Sequence, residues 1–381
     1  MERLSRMDGL RGILAVYILT CHALSCALVP PWLGALFNHG EAAVDLFFAL
    51  SGLVVSHSLE RHHYRFWPFI NGRAGRLLPV YFTVLALAVG LQYLGSPLTA
   101  LPFLSASSMA GSFWAKAAPD WFAWHVAAHV FLIQGIIPQG ILPWAWITVL
   151  GPAWSLSAEW QFYIFMALVL TRLNGTRRVM RFAYLMLGLG ICYRAAAPWL
   201  PGFWQFSRAF LPDAAPYFAL GLASAVWMRN RNPVPFLICL VTVFTMGLLS
   251  PVPGKALIPV GWTVALLAQR NPQLPLLPLL PLLPKLLDSR AAQYLGAISY
   301  PLYLINEPVQ RACAMLIAPL AHGSADRFAL LWLPAALLLP IPAAMLLHHG
   351  IEAPAMRWSA MKSKGTRLFT GAETGRRIFS R

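Results

Sequence analysis

The sequence predicts an all-α polytopic integral membrane protein with about ten transmembrane helices and both termini in the cytoplasm. Three observations lead there. Of 381 residues, 58% are hydrophobic and only 11% are charged, against about 25% charged in soluble globular domains. Apolar windows of about 20 residues, enough to cross a hydrocarbon core, recur along the whole chain. Basic residues cluster between those windows, and with the N-terminus inside, 23 of the 29 Lys and Arg residues fall on one side, as the positive-inside rule requires. The net charge of +16 therefore marks membrane orientation rather than a nucleic-acid partner, because no single face collects it. Cys21, Cys26, Cys192, Cys239 and Cys313 are scattered and mostly within apolar stretches, which fits neither a disulfide framework nor a metal site.

The first span is expected at 10–29. Ten residues separate Arg11 from His22 there, which amounts to about three helical turns and about 16 Å of rise, so both side chains share one face at different depths. Ionisable groups inside a membrane helix are costly and point to function: an anion held by Arg11 near one surface, and a proton moved by His22 at depth. The plain alternative is a snorkelling arginine and a histidine bonded to a neighbouring helix. The second span, 41–58, begins EAAVDLFFALSG. It runs opposite to the first, so Asp45 is expected at the depth of His22, where a carboxylate would orient the imidazole and support its charged form. Glu41, one turn earlier, reads as an interfacial acid.

The third span is expected at 77–96, entered through NGRAGRLLPVY. Arg73 and Arg76 lie three apart, on one face of a first turn, and offer forked donors to phosphate or serve as positive-inside anchors. Residues 97–146 are apolar and aromatic but interrupted by Pro119, Pro138 and Pro143, and they carry Lys116 and Asp120. They read as an outer loop with interfacial or re-entrant helices, the alternative being two further spans, which would leave the end orientations unchanged. The fourth span, 147–170, holds GPAWSLSAEWQFYI, in which Ser155 and Glu159 lie one turn apart. Beside Trp154 they are candidates to bind a hydroxyl-rich acceptor, the alternative being a capped helix start in an aromatic belt.

Further spans are expected at 182–199, 212–228, 234–250 and 254–269. The run LPLLPLLPLLP from Leu274 to Pro284 has proline at every third position, which prevents a regular α-helix and makes a connector. The last spans, 295–317 and 328–349, follow, the first of them bringing Ser299, Tyr303, Asn306 and Glu307 into an apolar helix. Glu352 is expected to pair with an arginine at the surface, and 356–381 reads as a basic cytoplasmic tail.

These stretches, taken in order, resemble the acyltransferase-3 family of integral membrane acyltransferases. The resemblance rests on DGLRG with Arg11 and His22 at the family's Arg-x10-His spacing, DLFFALSG around Asp45, GRAGRLLPVY with its Arg-x-x-Arg, WSLSAEWQFY, LGAISYPLYL and the late Glu-x-Pro at Glu352. It covers nearly the whole chain and implies a transmembrane acyltransferase domain over 1–355. Two positions depart from the pattern: Asn306 stands where members often carry His, and Trp160 where a second acid often follows Glu159. Some members carry a soluble esterase-like domain beyond the membrane region. Here about 30 residues follow the last expected span, so the protein is expected to act alone or to hand its product to a separate partner.

The resemblance implies transfer of an acyl group, acetyl in the usual case, from cytoplasmic acyl-CoA to a hydroxyl of a cell-surface or exported polysaccharide or of a glycolipid. The setting would be the bacterial inner membrane, beside a polysaccharide synthesis or export complex. Acyl-CoA is then a donor substrate, and no bound cofactor or metal is expected. Arg11, Arg73 and Arg76 would hold CoA phosphates, His22 oriented by Asp45 would act as general base, and Trp154, Ser155 and Glu159 would bind the acceptor. A covalent route through Cys21 is disfavoured because adjacent helical residues point about 100° apart. The rival reading is a proton-coupled transporter or flippase using the same buried charges, but the sequence shows no inverted repeat.

Overall fold

The computed structural model describes residues 4–97, 101, 103–104, 120–175, 177–252, 254–270, 282–359 and 361. Of the proline-rich connector only Leu282–Pro284 is described, and Lys116 and most of the expected tail lie outside the described residues. Every regular element among the described residues is helical. In chain order they are α1 (Ser5–Ser25), α2 (Pro31–Leu36), α3 (Gly40–Arg61), α4 (Phe66–Tyr93), α5 (Phe122–Val130), α6 (Ala153–Leu170), α7 (Arg178–Ala196) and α8 (Leu211–Asn230). They continue with α9 (Val234–Leu248), α10 (Leu257–Arg270), α11 (Leu282–Leu287), α12 (Arg290–Ala297), α13 (Ser299–Ile317), α14 (Ala325–Leu338) and α15 (Pro340–Leu347).

Five stretches among the described residues are long and apolar enough to cross a membrane: Ser5–Ser25, Pro31–Arg61, Phe66–Tyr93, Arg178–Trp199 and Ala325–Ser359. The other expected spans fall on α6, α8, α9, α10 and α13, which are shorter or carry more polar residues. Hydrogen bonding explains why the fold is built from helices, since a helix satisfies its own backbone where water is absent.

Helix α8 is the hub. From Ala214 to Val226 each of its residues is buried, with α3, α7 and α9 packed around it. The approach to α3 is close because both sides are glycine: a Cβ on Gly221 would collide with the carbonyl oxygen of Ala49, and one on Gly52 with that of Phe218. Small residues let helix backbones meet where burial of apolar surface supplies little drive between helices. Nearby, the rings of Phe162 and Phe218 stack at 4.0 Å, and Trp262 donates its indole N–H to Ser224 at 2.9 Å.

Several boundaries differ from those the sequence suggests, two of them with consequences for the site. Helix α4 starts at Phe66, well before the expected span, and its early proline, Pro68, sits in the first turn, where the missing N–H costs nothing. Arg73 and Arg76 therefore lie about two and about three turns into the helix rather than on its first turn. The second difference is at 295–317, where Ile298 separates α12 from α13. Helix α12 instead packs on α1, with Gly296 against the backbone of Asp8. The final helical stretch holds a π-helical turn at His348–Glu352. Such turns aim side chains where a regular helix would not, and are frequent at functional sites.

Candidate active site

Helices α1, α3, α4, α6 and α13 surround two adjoining chambers. The first is narrow, with a free volume of ≈ 80 Å³, and is lined by Arg11, Arg73, Arg76, Ser155, Glu159 and Tyr300 among others. The three arginines expected to act together do converge. Arg73 donates to the Tyr163 hydroxyl and lies 4.0 Å from Glu159 Oε1, with its guanidinium 4.5 Å from the centre of the Tyr163 ring. Arg76 lies 3.9 Å from Glu352 Oε1. Three guanidiniums thus face two carboxylates, which leaves a net positive charge in a low-dielectric wall. The Nε atoms of Arg73 and Arg76 are buried with no hydrogen-bond partner among the described residues. This is the electrostatics of an anion site.

Glu352 meets an arginine, as expected, but not at the surface. It is only 1% exposed, and the π-helical turn aims it inward, where it also accepts from His348 Nδ1 at 2.7 Å. Glu159 departs from expectation too. It accepts from Ser51 Oγ at 2.5 Å and from Tyr163, so its carboxylate braces the arginine chamber rather than standing beside Trp154. Ser155 and Glu159 do share one helical side and one chamber. Consecutive Trp154 and Ser155 diverge, which sends Trp154 to the second chamber.

The second chamber is wider, with a free volume of ≈ 510 Å³, and is bordered by His22, Trp144, Trp146, Trp154, Arg208 and Lys255. Its size and its aromatic walls with a few convergent polar groups suit a ring-shaped ligand. Val44 and Tyr303 line both chambers. Arg11 and His22 accordingly stand on one track, the arginine in one chamber and the histidine in the other. Tyr303 marks the junction, its hydroxyl 2.8 Å from Ser155 Oγ. Cys21 borders the second chamber together with His22, so the angular argument does not keep its side chain away from that space.

Among the described residues, the side chain that orients His22 is that of Asn306. Its Oδ1 lies 2.7 Å from His22 Nδ1, while its Nδ2 donates to the carbonyls of Tyr303 at 2.5 Å and Leu302 at 3.2 Å. Those two carbonyls fix which end of the amide faces the ring, because only the oxygen can then point at His22. An amide oxygen accepts and cannot donate, so Nδ1 carries the proton and Nε2 is the basic nitrogen. Asn306 is 0% exposed, a buried amide whose oxygen and nitrogen are both engaged.

Asp45, expected in that role, is turned away from it. It is 2% exposed, with Lys255 Nζ at 3.5 Å and Arg208 Nη2 at 3.7 Å. A buried carboxylate requires compensating charge, and two cations supply it where a neutral imidazole would not. Glu41 joins the same network as an ion-pair partner of Arg208. Arg208 also lies 4.9 Å from the centre of the Trp154 ring, and burial lowers its pKa while Asp213 opposes that shift. Asp45 thus positions the basic wall of the second chamber rather than the histidine. Sequence reasoning misses Arg208 and Lys255, although a signal exists: they are among the few basic residues that the expected topology puts opposite the other 23.

Residues 4–349 match the Acyl_transf_3 family, described as an acyltransferase domain. The chain is 27% identical to "Acyltransferase MdmB" of Streptomyces mycarofaciens, with 93% of this chain and 92% of that protein covered. It is 26% identical to "Putative membrane-bound transacylase BcsY" of Komagataeibacter xylinus, over 84% of this chain and 76% of that protein. A shorter match, 38% identical, joins 24% of this chain to 46% of "Protein 2 in picA locus" of Rhizobium radiobacter. No solved structure matches significantly. Apolar helices, paired chambers of opposed chemistry and a family match over nearly the whole chain lead to one conclusion: this chain belongs to the acyltransferase-3 family of membrane acyltransferases.

Proposed function

We propose that the protein is an O-acyltransferase of the bacterial inner membrane, with ten spans and both termini in the cytoplasm. Its donor is acyl-CoA, with acetyl as the group moved, and its acceptor is a hydroxyl of an exported polysaccharide or a glycolipid, delivered by a synthesis or export complex. The observation that carries this reading is the junction at Val44 and Tyr303, where a cationic chamber adjoins one containing His22. Arg11, Arg73 and Arg76 hold the phosphates of the donor at the inner end, as forked cations do. In this reading the narrow chamber receives the reacting end of the donor and the wider one the sugar. Trp154 and its neighbouring tryptophans offer the apolar faces on which a sugar stacks, and Ser155 stands at the junction where the two substrates meet.

His22 Nε2 removes the proton from the acceptor hydroxyl as its oxygen attacks the thioester carbonyl. The carbon–sulfur bond breaks as the new ester forms, and the leaving CoA thiolate takes the proton from the imidazolium. General-base assistance of this kind contributes about 10²- to 10⁴-fold, with alignment of two substrates in one track adding to it. The names of the two long relatives, an acyltransferase and a transacylase, support acyl transfer.

The test uses membranes supplied with labelled acetyl-CoA and surface glycan. Wild type should label the glycan and His22→Ala should not, at equal expression and equal donor affinity. Label transfer by His22→Ala near the wild-type rate would overturn the assignment, and proton-coupled glycolipid movement without labelling would favour a transporter. Reporter fusions test orientation separately: those after Arg76 and Arg178 and at the C-terminus should read cytoplasm, those near Lys116 and Lys255 periplasm.

A further inference from the structure

A third cavity, of ≈ 750 Å³, lies apart from the two chambers among the C-terminal end of α3, the start of α7, the end of α8 and the start of α9. Helix α3 divides it from the arginine chamber. Ser51, Val54 and Val55 line that chamber, whereas Ser56, His57 and Glu60 line this cavity. Its rim is cationic, with Arg177, Arg178 and Arg229 facing one carboxylate, Glu60. Arg229 occupies that carboxylate, its Nη1 lying 2.7 and 2.8 Å from the two oxygens. Arg178 lies flat on Tyr64, 3.4 Å from the ring centre. Stacking holds a guanidinium in place by its face and leaves its edge N–H groups available. Among the described residues the carboxylate of Glu60 pairs with Arg229 and with neither Arg177 nor Arg178, and the positive end of the α7 dipole adds to their field.

The rest of the wall is apolar. Met180, Val226, Val234 and Pro235 line it, and the surface continues along α9 through Leu237, Ile238 and Val241, which are 48%, 44% and 62% exposed. These three recur at helical spacing, so they form one stripe leading away from the cations. Charge at one end and an apolar stripe at the other match a molecule with an anionic head and hydrocarbon tails.

We infer that this cavity binds one anionic phospholipid of the inner leaflet, its phosphate between Arg177 and Arg178 and its acyl chains along α9. Basic pockets between helices at the cytoplasmic face are the usual setting for such headgroups. The inference rests on the inward placement of the basic loops but not on the acyl-transfer reaction. Its site shares no lining residue with either chamber.

Native mass spectrometry of the full-length protein in detergent, titrated with phosphatidylglycerol or phosphatidylcholine, tests it. One phosphatidylglycerol per chain should be retained in preference to phosphatidylcholine. Arg177→Gln with Arg178→Gln should weaken that retention about thirtyfold, from about fivefold for each arginine at a charged membrane surface. Arg177→Gln alone, at an exposed position, should weaken it about fivefold and serves if the double variant does not fold. Equal retention of both lipids, or retention unchanged in the variants, would overturn the inference. Displacement of phosphatidylglycerol by 3′,5′-ADP would also overturn it, by making the cavity a nucleotide site. Retained lipid in a protein that transfers no acyl group would refute the reaction and leave the lipid site standing.

Discussion

Replacing Asn306 by Leu isolates the link between orientation of His22 and turnover. The two side chains share one heavy-atom count and branching pattern, and the site is fully buried, so the substitution removes the amide's hydrogen bonds without opening a cavity. The carbonyls of Leu302 and Tyr303 remain within the helix. What is lost is the pair of Nδ2 donations to those carbonyls, the 2.7 Å contact to His22 Nδ1 and, with that contact, control over which ring nitrogen is basic. One such hydrogen bond is worth about 1 kcal/mol, or about fivefold in rate. A ring free to shift by about 1 Å loses up to about 10² through misalignment. The expected fall in kcat is therefore about 5- to 100-fold, below the roughly 10²- to 10⁴-fold expected for His22→Ala. Donor KM should stay constant, since the arginine chamber is untouched. The decisive assay is a double-variant cycle on labelled acyl transfer. If Asn306 acts only through His22, adding Asn306→Leu to His22→Ala should cost nothing further. Full multiplication of the two losses, or a wild-type kcat for Asn306→Leu, would show that Asn306 does not act through His22.

Asp45→Asn should leave Arg208 and Lys255 without their shared counter-charge and raise KM for the acceptor more than it lowers kcat; a pure kcat loss with unchanged acceptor KM would return Asp45 to the histidine. Arg73→Gln with Arg76→Gln should weaken acyl-CoA binding at least about tenfold while the protein remains inserted, measured by donor titration of purified protein; unchanged affinity would reduce both residues to anchors. Gly221→Leu should sharply lower the yield of folded protein, read by size-exclusion profile and melting temperature, because its side chain would enter the backbone of α3 at Ala49. Wild-type behaviour there would show that the α3–α8 contact is not what holds the bundle.

The class of protein and the residues worth watching follow from the order of amino acids alone. Low charge, recurring apolar windows and one-sided arginines dictate helices in a bilayer, because only a structure that satisfies its own backbone survives there. The Arg11–His22 spacing is equally legible, since the period of one helix places both residues on one face without reference to any other element. The short spacing between Arg73 and Arg76 works in the same way. Partners across helices are not legible. Which acid meets which base depends on how far each helix slides and rotates against its neighbours, and apolar periodicity is weak where both lipid and protein faces are hydrophobic. So Asp45 meets Arg208 and Lys255, residues far along the chain, while His22 takes the amide of Asn306 from α13. Glu352 turns inward because a π-helical turn, invisible in composition, changes its direction by a fraction of a helical turn. The junction of the two chambers at Val44 and Tyr303 exists only once α3 and α13 are packed together, and packing of distant segments is what a local pattern cannot encode.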